Sequence, residues 1–156
     1  MTSTSGKYLT FAPQGESYGI DVLKVREIIR HIAITAMPQM PAHIRGVINL
    51  RGKIIPVMDL RLRFGFPGVA DNDLTCIIVV QVTTAGQKVT LMGLMVDGVE
   101  EVLNLNAADI EEPPNFGGQT GSDYILGMAK IRDRVKALLD IDRVAGTSVL
   151  QDATAW

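Results

Sequence analysis

Residues 46–60 read Gly46-Val47-Ile48-Asn49-Leu50-Arg51-Gly52-Lys53-Ile54-Ile55-Pro56-Val57-Met58-Asp59-Leu60. Two β-branched runs flank a short polar tip, and Gly52 supplies the positive φ that a tight hairpin demands. The stretch predicts a strand over Ile44–Leu50, a turn at Leu50-Arg51-Gly52 and a strand over Lys53–Asp59. Pro56 cannot donate to a ladder, so it marks an edge or a bulge open to a partner. Asp59 closes the second run, where a carboxylate can cap the free N–H groups of a short helical stretch.

The same alternation extends in both directions. It predicts further strands over Lys7–Phe11, Ser17–Asp21, Val25–Ile29, Thr75–Val82, Lys88–Val96, Glu100–Leu105, Ile125–Ile131 and Arg134–Asp140. A second hairpin turn is expected at Ala85-Gly86-Gln87, and short helical turns after Asp21, Asp59, Asn106 and Asp140. Ten short strands with brief connections fit small barrels or a sandwich, because a parallel α/β sheet needs long crossover helices.

The chain also repeats itself. Gly19-Ile20 with Val25, Glu27 and Ile28 recurs 74 residues later as Gly93-Leu94 with Val99, Glu101 and Val102. Gly46, Leu50-Arg51, Ile54, Val57 and Asp59-Leu60 recur 81 residues later as Gly127, Ile131-Arg132, Val135, Leu138 and Asp140-Ile141. A seven-residue insertion between Glu111 and Ser122 accounts for the change of offset. Two similar small β-barrels follow, about 15–70 and 75–145, with terminal segments open to exchange and a boundary near the FPGVADNDL stretch at 66–74. Gly46 and Gly127 would permit sharp bends at barrel corners.

With 156 residues, 47% of them hydrophobic, the chain is long enough for one compact unit or two very small ones. Its single cysteine, Cys76, sits beside Ile77 and Ile78, which predicts a buried thiol in a reducing compartment, so the protein is expected to be cytoplasmic. The longest apolar stretch, Cys76 to Val80, is far short of the roughly 20 residues of a membrane span. The N-terminus lacks the apolar core of a signal peptide, so membrane contact must be indirect. Met1 to Gly6 and Thr147 to Trp156 are small and polar and read as flexible tails.

A net charge of −2 hides a dipole. Residues 20–63 carry eight basic and three acidic side chains, whereas residues 71–112 carry one basic and eight acidic. That asymmetry suits docking between differently charged partners and argues against a nucleic-acid binder, which would need a basic, aromatic-lined groove. Enzyme chemistry lacks its parts. His31 and His43 are the only histidines, read as solvated, and no cysteine pair, HExxH or GxSxG accompanies them. Asp97-Gly98 is foremost a turn signal, and Gly117-Gly118 lacks the Lys-Ser/Thr of a phosphate loop. No catalytic residue, metal ligand or cofactor is nominated, and the scattered methionines read as core filler.

The segments Tyr18 to Ile28 and Gly46 to Leu60, continued by Met95-Val96-Asp97-Gly98-Val99 and Leu138-Leu139-Asp140-Ile141, closely resemble the chemotaxis coupling protein family, CheW. The resemblance covers about residues 7–145, and an NLRG turn running straight into IIPV and Asp59-Leu60 is highly specific. It implies two SH3-like five-stranded β-barrels packed about a shared hydrophobic seam, with no active site. It implies an adaptor that bridges the cytoplasmic tip of transmembrane chemoreceptors to the regulatory domain of the histidine kinase CheA, at receptor arrays on the inner face of the membrane. Other CheW-like domains in array rings are further expected partners.

By that resemblance the receptor-facing residues are Val22, Val25, Glu27, Gly46 and Arg51. Phe116, on the proline-stiffened loop Pro113-Pro114-Asn115-Phe116, is the expected kinase anchor. Glu111 and Glu112 depart from the more basic or proline-rich character of this stretch, which clouds the charge partner on the kinase side.

Overall fold

The computed structural model describes residues 6–12, 17–30, 32–64, 75–83, 87–112 and 124–146. They are mainly β. The strands are β1 (Gly6–Ala12), β2 (Tyr18–Asp21), β3 (Val25–Ile29), β4 (Ile44–Leu50), β5 (Lys53–Asp59), β6 (Cys76–Thr83), β7 (Val89–Val96), β8 (Gly98–Leu105), β9 (Ile110–Glu111), β10 (Ile125–Ile131) and β11 (Arg134–Leu139). Helix α1 (Leu60–Arg63) follows β5 and α2 (Ile141–Gly146) follows β11, while 3-10 turns occupy Val22–Lys24 and Ala107–Asp109. The helical turns expected after Asp21, Asp59, Asn106 and Asp140 therefore all stand. Gly6 opens β1 instead of belonging to the tail, and β9 is an additional strand of two residues.

The strands form two SH3-like subdomains. Sheet one has the order β3-β6-β7-β5-β4, and sheet two the order β8-β1-β2-β11-β10-β9, so it has six strands rather than five. Pairing is antiparallel except between β5 and β7 and between β11 and β2. Hydrogen bonding does not divide the chain at 66–74. Sheet one is drawn entirely from residues 25–96, and sheet two joins residues 6–21 to residues 98–139. Strand pairing thus follows the repeat and not the halves of the chain, and β6 and β7 pair within sheet one.

The repeat is written into the geometry. The order β3-β6-β7-β5-β4 superposes in sequence position on β8-β1-β2-β11-β10. The parallel contact Val57↔Gly93 matches Leu138↔Gly19. The bulge at Val25/Glu27 matches one opposite Thr10/Phe11 that skips Glu100, and the bulge at Ile44/Gly46 matches one at Ile125/Gly127. Arg51 and Arg132, at the two hairpin tips, have φ of 51° and 49°. The registers add a correspondence that the sequence comparison did not include: β1 matches β6 at a shift of 69, with Thr10↔Gly19 answering Val79↔Gly93.

Three cores result. The largest mixes Leu9, Phe11 and Ile20 of sheet two with Met58, Ile78 and Leu94 of sheet one, and is the seam between the subdomains. Two smaller clusters fill the sheets' other faces, one around Ile48, Val57 and Val79, the other around Tyr8, Ala129 and Leu138. Cys76 is 2% exposed within the seam, and burial pushes its thiol up.

Charged side chains lie inside this apolar frame, Arg61 the most deeply of those described. Arg61 is 1% exposed. Its Nε donates to Asp59 Oδ1 at 2.9 Å, Nη2 to Asp59 Oδ2 at 2.8 Å and Nη1 to Asp97 Oδ1 at 2.7 Å. Arg45 Nη1 reaches Asp59 Oδ2 at 3.2 Å, and Asp59 Oδ1 also accepts the Arg61 backbone N–H at 3.0 Å as the helix cap. The Asp97-Gly98 pair is accordingly no hairpin: Asp97 is the single residue between β7 and β8, which lie in different sheets.

Gly46 has a stronger constraint than a barrel corner. Its φ is +139°, and a Cβ there would stand 2.0 Å from the Thr35 carbonyl oxygen. Thr35 and Val47 exchange backbone hydrogen bonds of 2.8 and 2.9 Å, which seat the segment before β4 onto the sheet. A Gly46→Ala variant is expected to lose about 1–3 kcal/mol from backbone strain, before any displacement of Thr35. Urea unfolding checks this, and a loss below about 0.5 kcal/mol would show that the Thr35 segment yields freely.

Burial pushes the Asp59 carboxyl up, but Arg61 and then Arg45 override it and hold it below the usual carboxylate range. A folded value below the unfolded one contributes stability that is present above the ordinary carboxylate range and lost as pH falls through the folded value. Asp59→Asn should therefore cost about 3–5 kcal/mol at neutral pH by stranding Arg61. It should also flatten the acid limb of the stability profile. Urea unfolding from neutral to acid pH tests both, and an unchanged acid limb would assign that limb to other carboxylates.

Candidate functional site

The β4–β5 hairpin carries Arg51 at its tip. Arg51 and Gly52, with φ of 51° and 89°, both adopt left-handed conformations, and Asn49 Oδ1 accepts the Gly52 N–H at 2.8 Å. These contacts hold the turn in the mirror-image form whose twist suits an antiparallel hairpin. From this tip the guanidinium meets Glu27 on β3. Nη2 donates to Oε1, and Nη1 donates to Oε2 at 3.4 Å. The hydrogen bond from Arg51 holds Glu27 below the usual carboxylate range, and Glu27 in turn pushes Arg51 up.

β3 and β4 are the two ends of the sheet-one strand order, so the ion pair bridges those ends. Barrel closure does not require it. Arg132 and Glu101 occupy the matching positions of sheet two, and no ion pair joins them among the described residues. The Arg51 side chain is 72% exposed and Glu27 31%. A guanidinium has five donors, and Glu27 orients the group while leaving N–H groups directed at solvent.

The other expected receptor-facing residues divide. Val22 sits half-buried in the 3-10 turn that Asp21 caps by accepting the Leu23 N–H at 2.9 Å. Val25 is half-buried and packs against the shared seam. Gly46 lies on β4 under the Thr35 segment and has the backbone role described above. The structure therefore joins Glu27 and Arg51 directly. Phe116 and Gly117-Gly118 lie outside the described residues, as does His31.

Sequence reasoning missed Leu23, at 82% the most exposed large apolar side chain among the described residues. It lies in a three-residue turn, too short for either periodicity to assign a face; its position between Val22 and Lys24 was the only signal. Lys24 is tied to Asp142 at 3.0 Å, which fixes this turn against α2 of the other subdomain.

Two readings are corrected. His43 is half-buried, since its carbonyl accepts the Asp59 N–H at 2.7 Å and pulls the loop onto the sheet. Pro56 is not on an outer strand: β5 lies between β7 and β4. Its parallel register with β7 begins only at Val57, so Pro56 stands where the two strands have already parted. Arg61, which the sequence offers only as one of eight basic side chains between residues 20 and 63, is buried as described. Glu111 and Glu112 are exposed, and Glu111 pairs with Lys130 at 2.5 Å.

A recess of about 210 Å³ opens at the seam, lined by Tyr18, Phe64, Tyr124, Ile125, Ala137 and Leu139. The Tyr18 and Phe64 rings meet edge-on, 5.3 Å apart at 85°, and Arg63 lies 4.9 Å over Tyr124 while donating to its hydroxyl at 2.9 Å. The surface suits packing of apolar groups. Among the described residues no group of three or more His, Cys, Asp or Glu could hold a metal ion, and no helix is long and apolar enough to cross a membrane.

Comparison with known proteins agrees with this geometry. A family model described as CheW-like domain matches residues 7–148. A chemotaxis protein CheW of Klebsiella aerogenes is 38% identical over 138 residues, covering 88% of this chain and 80% of that protein. One from Rhizobium meliloti is 30% identical over 144 residues, covering 92% and 90%. The crystal structure of the scaffolding protein TtCheW from Thermoanaerobacter tengcongensis superposes with a TM-score of 0.80 at 33% identity, covering 93% of this chain and 95% of that one. With a shared fold, a matched domain and this degree of identity along nearly its whole length, the chain belongs to the CheW family.

Proposed function

We propose that this chain is a non-catalytic chemotaxis adaptor that couples transmembrane chemoreceptors to the histidine kinase CheA in the cytoplasm, at receptor arrays on the inner face of the membrane. The observation that carries the reading is the exposed Glu27–Arg51 pair, held at a rigid hairpin tip on a chain whose relatives are named for chemotaxis and scaffolding. In this reading Arg51 makes directional, charge-assisted hydrogen bonds to a helix of the receptor tip, Glu27 sets its orientation, and Val22, Val25 and Gly46 shape the adjoining groove. Phe116 contributes to the kinase side, and other CheW-like domains extend the array.

An adaptor alters kinase output only by binding the active arrangement more tightly than the inactive one, so no reaction on this chain is needed. Arg51→Ala is expected to weaken recruitment to receptor-bearing vesicles about tenfold, the equivalent of about 1.4 kcal/mol, while binding of the kinase regulatory domain stays within about twofold. Kinase autophosphorylation on those vesicles should fall in step with recruitment. Equal loss of both binding activities, with an unchanged circular dichroism spectrum, would overturn the separation of surfaces.

A further inference from the structure

Between the diverging halves of β5 and β7 lies an open cleft of about 380 Å³. Ile55 and Leu91 are among its lining residues, and Ile54 and Val89, 67% and 55% exposed, line it as well. Arg26 and Lys53 supply its charge. Neither side chain has an ion pair or hydrogen bond among the described residues, and no acidic side chain lines the cleft.

The repeat shows what such a cleft holds when it is filled. In sheet two the positions matching Arg26, Ile55 and Leu91 are Glu100, Lys136 and Ser17. There Lys136 Nζ donates to Ser17 Oγ at 2.6 Å and to Glu100 Oε1 at 3.2 Å, and Ser17 Oγ donates to Glu100 Oε1 at 2.6 Å. Lys136 and Ser17 are 7% and 8% exposed. The second cleft is thus occupied from within by an aliphatic stem ending in a charge, matched by a carboxylate. Arg26 and Glu100 are each the extra residue of equivalent bulges, a device that re-aims a side chain. At this position the first cleft has a cation where the second has its acid.

The backbone differs in the same sense. In sheet two the Ala137 N–H donates to the Ser17 carbonyl at 3.4 Å, and the parallel register reaches Ala137↔Tyr18. Pro56 occupies the position of Ala137 and has no N–H to offer Leu91, so the register in sheet one starts a residue later, at Val57↔Gly93. Pro56 keeps the cleft open and leaves the β7 segment Val89–Leu91 without β5 alongside it.

We propose that this cleft docks an extended, glutamate-bearing aliphatic segment of a protein partner. The carboxylate sits between Arg26 and Lys53, and the backbone runs beside Val89–Leu91 as an added strand. The proposal rests on the comparison of the two clefts and stands independently of any role for Arg51.

The test titrates the full ¹⁵N-labelled chain with the end-capped peptide Val-Glu-Val-Glu-Val and with its glutamine counterpart. Saturable shifts confined to the amides of Lys53–Ile55 and Val89–Leu91, with affinity at least tenfold weaker for the glutamine peptide, are expected. Arg26→Glu and Pro56→Ala should each weaken binding at least tenfold with unchanged circular dichroism, the second by restoring the N–H that closes the cleft. If Arg26→Glu fails to fold, the salt dependence of wild-type binding and Pro56→Ala decide the question. Equal affinity for both peptides, shifts elsewhere, or binding indifferent to Pro56→Ala would overturn the proposal. Concentration-dependent shifts of the same amides without peptide would identify a second copy of the chain as the occupant and overturn it as well.

Discussion

A guanidinium that is 1% exposed has no water to exchange partners with, and Arg61 is bound on three sides by protein oxygen. Moving either carboxylate away leaves a charge in an apolar interior, a cost far above that of an ordinary misplaced contact. Asp59 ends β5 and starts α1, Arg45 comes from β4, and Asp97 is the residue at which the chain passes from sheet one to sheet two. The cluster therefore sets the angle at which one subdomain hands over to the next. A well-packed apolar substitute can match such a cluster in free energy but does not demand this one arrangement. Everything at the seam, from Cys76 to the edge-on contact of Tyr18 with Phe64, is placed relative to that handover.

Against this fixed frame the two repeats have diverged in what they leave exposed. The hairpin tips share a backbone conformation, yet only Arg51 has drawn its glutamate into a fork. The clefts share a strand order, yet one contains its own lysine and the other is lined by cations. Duplication supplies the scaffold, and single side chains at equivalent positions decide whether a surface satisfies itself or stays available to a partner. In the first subdomain, both differences leave polar or charged groups facing outward.

Much of this was legible in the chain. Period-two alternation located ten strands to within two residues, and Asp or Asn at each expected cap located the helical turns, because both signals are local. The repeat was readable since its anchors are a glycine at each parallel contact, a glycine at the bulges of β4 and β10, and the aspartates Asp59 and Asp140. What stayed hidden depends on residues distant in sequence. Arg61 reads as one more solvated charge until Asp97, 36 residues away, is brought to it. Gly46 reads as a bend until Thr35 lies over it. The grouping of strands into sheets was hidden for the same reason, since Thr10 bonds to Glu101 across 91 residues and no local pattern encodes that choice. The pairing of Glu27 with Arg51 needed the resemblance to nominate both and the fold to join them.

The way the sheets divide the chain also orders its synthesis. Sheet one is a single continuous stretch, and its last strand ends at Val96, so its full set of strands exists before β8 to β11 have left the ribosome. Sheet two joins strands made before sheet one to strands made after it. The β1–β2 hairpin must wait, with both outer edges unpaired, until β8 and β11 arrive to cover them. During that interval a nascent chain carries an exposed strand template beside a formed barrel. The short length of β2, only four residues, limits what that template can capture by mistake.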